Sequence, residues 1–114
     1  AMPNALAVVA IANTREPLKV TDAIVTNANF DNVNLSNSQF NNVNLSVSTF
    51  SDVNLTNATV ENANVSNVSF RDVNMSNVDI SNAQTAGMRI NGILLSDLLA
   101  AYRTVLATEK EGSD

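Results

Sequence analysis

The chain contains no cysteine, no histidine and no tryptophan, and its aromatic residues are four phenylalanines and one tyrosine. Without cysteine there is no disulfide and no thiolate metal site, a state compatible with any compartment. Without histidine the commonest metal ligand and general base are missing. No apolar run approaches the roughly eighteen residues of a membrane span. Positive charge is scarce: six Lys and Arg stand against eleven Asp and Glu, for a net charge of −5 and a pI near 4.4. That balance argues against nucleic acid or an anionic membrane as a direct partner. The length of 114 residues fits one domain.

What is present is a five-residue phrase said fifteen times from Leu18 to Gly92, as in VNLSN, STFSD and VNLTN. The third position is Val, Phe, Leu, Met or Ile throughout, except at Thr85. The first is small or aliphatic, and the others are nearly all Asn, Ser, Thr, Asp or Gln. A period of five matches neither a helix nor a flat strand. The chain must therefore turn after each phrase and stack on itself, the sequence signature of a solenoid. Fifth positions are Asn, Asp or Gly almost everywhere, as corners require when a residue must tolerate left-handed backbone or bond its own main chain.

This pattern resembles the pentapeptide-repeat family. The resemblance implies an all-β solenoid: a right-handed, quadrilateral β-helix with four phrases per coil, first and third positions inward, closed by a C-terminal α-helix cap. Residues twenty apart agree with it. Phe30, Phe50, Phe70 and Ile90 form one column, and Leu35, Leu55, Met75 and Leu95 the next. Val20, Phe40, Val60 and Ile80 form a third, Val25, Leu45, Val65 and Thr85 a fourth. Among first positions the clearest column is Val33, Val53, Val73 and Ile93. Counting Ile93–Asp97 as a sixteenth phrase gives about four coils, about 19 Å tall at strand spacing.

The expected organisation is an N-terminal segment 1–17, the repeat over 18–96, a capping helix over 97–108 and a flexible tail 109–114. Ile24 and Val47 are apolar where the register points outward, and Leu6, Val8, Val9 and Ile11 are expected to cover that patch or the open first coil. No Lys or Arg precedes the apolar run Leu6–Ala12, so it does not read as a secretory signal. The expected location is the bacterial cytoplasm, or outside it after loss of a signal. Ser96 is the expected N-cap, with Asp97 in the first turn. Leu98, Leu99, Tyr102, Val105 and Leu106 follow at helical spacing as cap contacts, or as contacts between two copies. The string Gly87–Ile93 followed by Leu98–Tyr102 resembles the closing segment of small bacterial members of the family.

The chemistry is sparse. Asp52 and Asp72 fall one coil apart beneath Asn32, but calcium wants six to eight oxygens and Arg71 adjoins them, so no metal or cofactor is assigned. Seven Asn-X-Ser/Thr sequons are by-products of the phrase. No carboxylate has an evident cleft, so no enzyme is expected. The most regular outer surface carries Asn34, Ser36, Asn54, Thr56, Asn74 and Ser76, uncharged columns suited to a protein partner. Structurally, the same residues read as a solvated face kept regular by the repeat. The expected function is a structural or protein-interaction scaffold, as a monomer or a homodimer through its terminal caps. The alternative, drawn from the family, is a DNA mimic that binds DNA gyrase. Duplex DNA carries a charge about every 1.7 Å, so a mimic this tall wants on the order of ten. Residues 23–92 hold Asp31, Asp52, Glu61, Asp72 and Asp79 against Arg71 and Arg89, five acids less two bases, a net of −3.

Overall fold

A computed structural model describes residues 8–112. They fall into two compact units, one ending at Asn77 and the other beginning at Val78.

A phrase that must turn every five residues leaves room only for short strands, and the N-terminal unit has five of three residues each: β1 (Asn29–Asp31), β2 (Gln39–Asn41), β3 (Thr49–Ser51), β4 (Thr59–Glu61) and β5 (Ser69–Arg71). They pair in parallel, β1-β3-β5 in one sheet and β2-β4 in another. The register is twenty residues, as expected: Phe30 lies opposite Phe50 and Phe50 opposite Phe70, while Phe40 lies opposite Val60. Between the strands, single bridges link Asn34 to Asn54, Asn54 to Asn74 and Asn44 to Asn64 at the same spacing.

Two kinds of phrase therefore alternate, a distinction that the five-residue pattern does not announce. Phrases centred on Phe30, Phe40, Phe50, Val60 and Phe70 make strands. Those centred on Leu35, Leu45, Leu55 and Val65 make a four-residue turn in which the third-position carbonyl accepts a hydrogen bond from the N–H three residues on, as Leu55 does from Ala58 at 3.0 Å. The left-handed corner expectation holds at every phrase. All fifteen fifth positions from Asp22 to Gly92 have positive φ. Asn and Asp tolerate this because their short side chains bond locally, and Gly because it has no Cβ. Val47, at φ 62°, is the departure.

The core consists of first and third positions. Leu45, Phe50, Val53 and Leu55 are buried, with Val25, Phe30, Leu35, Phe40, Val43, Ala58, Val68 and Val73 packed around them. Phe50 is stacked between Phe30 and Phe70, ring centroids 4.8 and 5.0 Å away. Ser48, a first-position residue, is also buried, and its Oγ has no hydrogen-bond partner.

The C-terminal unit departs from the expected columns. Ile90 belongs to a two-residue strand, β6 (Arg89–Ile90), that pairs antiparallel with β7 (Ile93–Leu94), so Ile90 faces Ile93. The Asn91-Gly92 link has both residues at positive φ, the combination that a tight two-residue hairpin demands. Arg89 reinforces it by donating from its guanidinium to the Gly92 carbonyl at 3.0 Å. The sixteenth phrase does not exist: the hairpin consumes Ile93, and Leu95 starts helix α1 (Leu95–Gly112).

That helix begins two residues before Asp97 and runs past Thr108. Ser96 consequently lies inside its first turn and is not the N-cap. The Leu95 N–H, one of the donors that a helix start leaves unpaired, is satisfied by the Met88 carbonyl at 2.9 Å. Beyond Thr108 the residues Glu109 and Lys110 are good helix formers, and Lys110 sits in the last turn where the macrodipole favours a cation. The expected flexible tail is thus helical as far as Gly112, and Ser113 and Asp114 lie outside the described residues.

Candidate interaction faces

The turn phrases owe their shape to their own polar residues. In each, and likewise in the phrase centred on Met75, the second-position Asn uses its Oδ1 to accept the backbone N–H two residues on. Asn34 accepts from Ser36 at 2.9 Å, Asn54 from Thr56 at 2.9 Å and Asn74 from Ser76 at 3.0 Å. The Thr56 and Ser76 hydroxyls donate to the same Oδ1 atoms at 2.6 Å. Asn-X-Ser/Thr is thus a local turn device, with the side chain standing in for a backbone acceptor. The amide Nδ2 groups take no part in these bonds.

The structure brings Asn34, Asn54 and Asn74 into one column through the bridges at Asn34–Asn54 and Asn54–Asn74. The same device recurs on another side, where Asn44 accepts from Ser46 at 3.0 Å and Asn64 from Ser66 at 2.9 Å. The sequence signal for this second ladder is the pair of sequons Asn44-Leu45-Ser46 and Asn64-Val65-Ser66, absent from the candidate face named above.

Charge sorts with phrase type. Between residues 28 and 77 the ionisable residues are Asp31, Asp52, Glu61, Arg71 and Asp72, and all five lie in strand phrases. The turn sides are neutral. Asp52 and Asp72 occupy left-handed corners, and the Asp52 N–H donates to the Arg71 carbonyl at 3.3 Å. The described residues include no group of three or more His, Cys, Asp or Glu placed to hold a metal ion.

The apolar residues singled out at the two ends behave differently from the core. Val8, Val9 and Ile11 are 85, 86 and 55% exposed, and Ile24 and Val47 are 80 and 55% exposed. The described part of the N-terminal segment therefore does not cover that patch, and Leu6 lies outside the described residues. In the C-terminal unit, Leu95 and Leu99 line a groove of about 350 Å³ together with Ile80, Met88 and Ile90. Leu98, Tyr102, Val105 and Leu106 are not part of its lining, and all are substantially exposed. Within the described residues, no helix is long and apolar enough to cross a membrane.

Parallel strands at a twenty-residue register, left-handed corners every fifth residue and an interior of first and third positions define a stacked, pentapeptide-built β-solenoid type of protein. The family model for a pentapeptide repeat region matches residues 23–98, and the chain belongs to the pentapeptide-repeat family. No curated protein and no solved structure matches it significantly.

Proposed function

We propose that this chain is a non-enzymatic scaffold. It is a right-handed, four-sided β-helix whose neutral side at Asn34, Asn54 and Asn74 receives another protein. The observation that carries this reading is the separation of charge from the turn sides. It leaves a column of fixed Asn side chains, each oriented by its own backbone bond, with amide donors free for a partner and no ionic desolvation to overcome. Prior fixing of these side chains lowers the entropy lost on binding. The gyrase reading draws less support, because the acids lie on strand phrases interrupted by Arg71 and do not form a continuous stripe. A bacterial cytoplasmic setting rests on the resemblance of the closing segment alone.

The test is capture from bacterial lysate by the intact chain and by a variant with Asn34→Asp, Asn54→Asp and Asn74→Asp, which keeps the Oδ acceptors and removes the amide donors. Capture by the parent, lost in a variant that melts like the parent, is the expected result. Equal capture by both removes the Asn column from the binding face. Inhibition of purified gyrase that survives the three changes moves function to the acidic sides.

A further inference from the structure

Two residues of the N-terminal unit break the rules of its own repeat, and a run that precedes the repeat shares their apolar, exposed character. Ile24 is an apolar residue at a second position and is 80% exposed. Val47 occupies a left-handed corner at φ 62°, 55% exposed, where all other phrases place Asn, Asp or Gly. Val8, Val9 and Ile11 form an uncharged run that is also exposed. Counted at the twenty-residue register, Ile24 and Val47 fall to the side of Val25, Leu45 and Val65, whose phrases 23–27, 43–47 and 63–67 contain no ionisable residue.

A β-branched side chain held in strained backbone, yet contributing little to its own core, points to a contact outside the protomer. Within one chain the two apolar elements do not cover each other, since both are exposed. We propose that a second copy of this chain covers them, each copy laying its Val8–Ile11 run across the Ile24–Val47 side of the other. Such an exchange is isologous, with one element meeting the other twice around a two-fold axis. Charge favours it. The chain carries −5, so like-charged strand sides repel between copies, whereas both elements of this contact are neutral. The run Val8-Val9-Ala10-Ile11 is also β-prone, uncharged and free of proline, the kind of segment that associates when left open. A four-residue run on one narrow side makes a contact at the small end of specific interfaces, so the dimer is weak and concentration-dependent.

Sedimentation of the full chain from about 10 µM to about 1 mM tests this, a range chosen for a weak complex. The parent is expected to move from monomer toward dimer mass. Val47→Asn, Ile24→Asn and Val9→Asn should each weaken association about tenfold, as expected for one apolar side chain withdrawn from a contact. Tyr102→Asp, on the exposed face of α1, should leave the association unchanged. A parent that stays monomeric throughout overturns the proposal. So does a dimer indifferent to Val47→Asn and Val9→Asn, or one abolished by Tyr102→Asp alone. A Val9→Asn change that lowers the melting temperature of a monomeric chain would show instead that the run covers its own protomer.

Discussion

Val47 offers a substitution that should stabilise the protein, and its size follows from local geometry. It is the third residue of the turn Leu45–Ser48, closed by the Ser48 N–H to the Leu45 carbonyl at 3.2 Å, and its φ is 62°. Left-handed backbone costs an ordinary residue about 1–2 kcal/mol, and Asn or Gly much less. Against that relief stands the burial that Val supplies. Fully burying it is worth about 1.5 kcal/mol, but Val47 is 55% exposed, so about 0.7 kcal/mol is at stake. Val47→Asn should therefore gain about 0.5–1 kcal/mol, which for a domain of this size raises Tm by about 2–8 °C. The matching turn Leu55–Ala58 supplies the reverse experiment, because Asn57 has φ 59°. Asn57→Val should lose about 1–2 kcal/mol. Thermal and urea melts at low micromolar concentration, where self-association does not contribute, measure both. A Val47→Asn variant no more stable than the parent, beside an Asn57→Val variant that loses nothing, would refute the account of the corners.

Two further perturbations probe the interior. Phe50→Ala should cost about 3–5 kcal/mol for the cavity and about 0.5–1.5 kcal/mol more for each ring pair lost, enough to unfold a domain of ordinary stability; Phe70→Ala should cost roughly half as much, because Phe70 is 39% exposed and stacks on one neighbour. Equal costs in denaturant melts would contradict the stacking order. Ser48→Ala removes a buried hydroxyl with no partner and should raise stability by about 1 kcal/mol; a loss in the same melts would mean that the hydroxyl is bonded in solution.

The parallel register was legible because it is written twenty residues at a time. Every member of the buried cluster and its surround, from Val25 to Val73, is a first or third position, and Ile24 and Val47 point outward as the register requires. What the repeat could not show is where it stops. The column arithmetic carried Ile90 and Leu95 onward, but Asn91-Gly92 is a strong local hairpin signal, and a two-residue link returns the chain on itself before another coil position can form. The helix start was misplaced for a related reason. Ser96 before Asp97 has the composition of a cap, yet the Met88 carbonyl already satisfies the Leu95 N–H, a contact between residues seven apart that composition does not encode. The alternation of strand and turn phrases was present in the letters, with Phe favoured in one kind and Leu in the other. It went unread because both satisfy the same five-residue pattern.

The Asn columns illustrate why a regular face on a repeat protein is hard to assign. Each turn-phrase Asn has two functional halves. The Oδ1 belongs to the fold, since it accepts the backbone N–H that shapes the turn, while the Nδ2 takes no part in that bond. A substitution that removes both, such as Asn to Lys or Ala, confounds lost folding with lost binding, because a buried or half-buried N–H left without its acceptor costs stability directly. Asp separates the halves: it keeps the acceptor in place and exchanges only the donor for a charge. The second ladder at Asn44 and Asn64 is then an internal control. It has the same turn chemistry, so any effect on binding confined to Asn34, Asn54 and Asn74 must arise from the surface those three share and not from the turn that all five build.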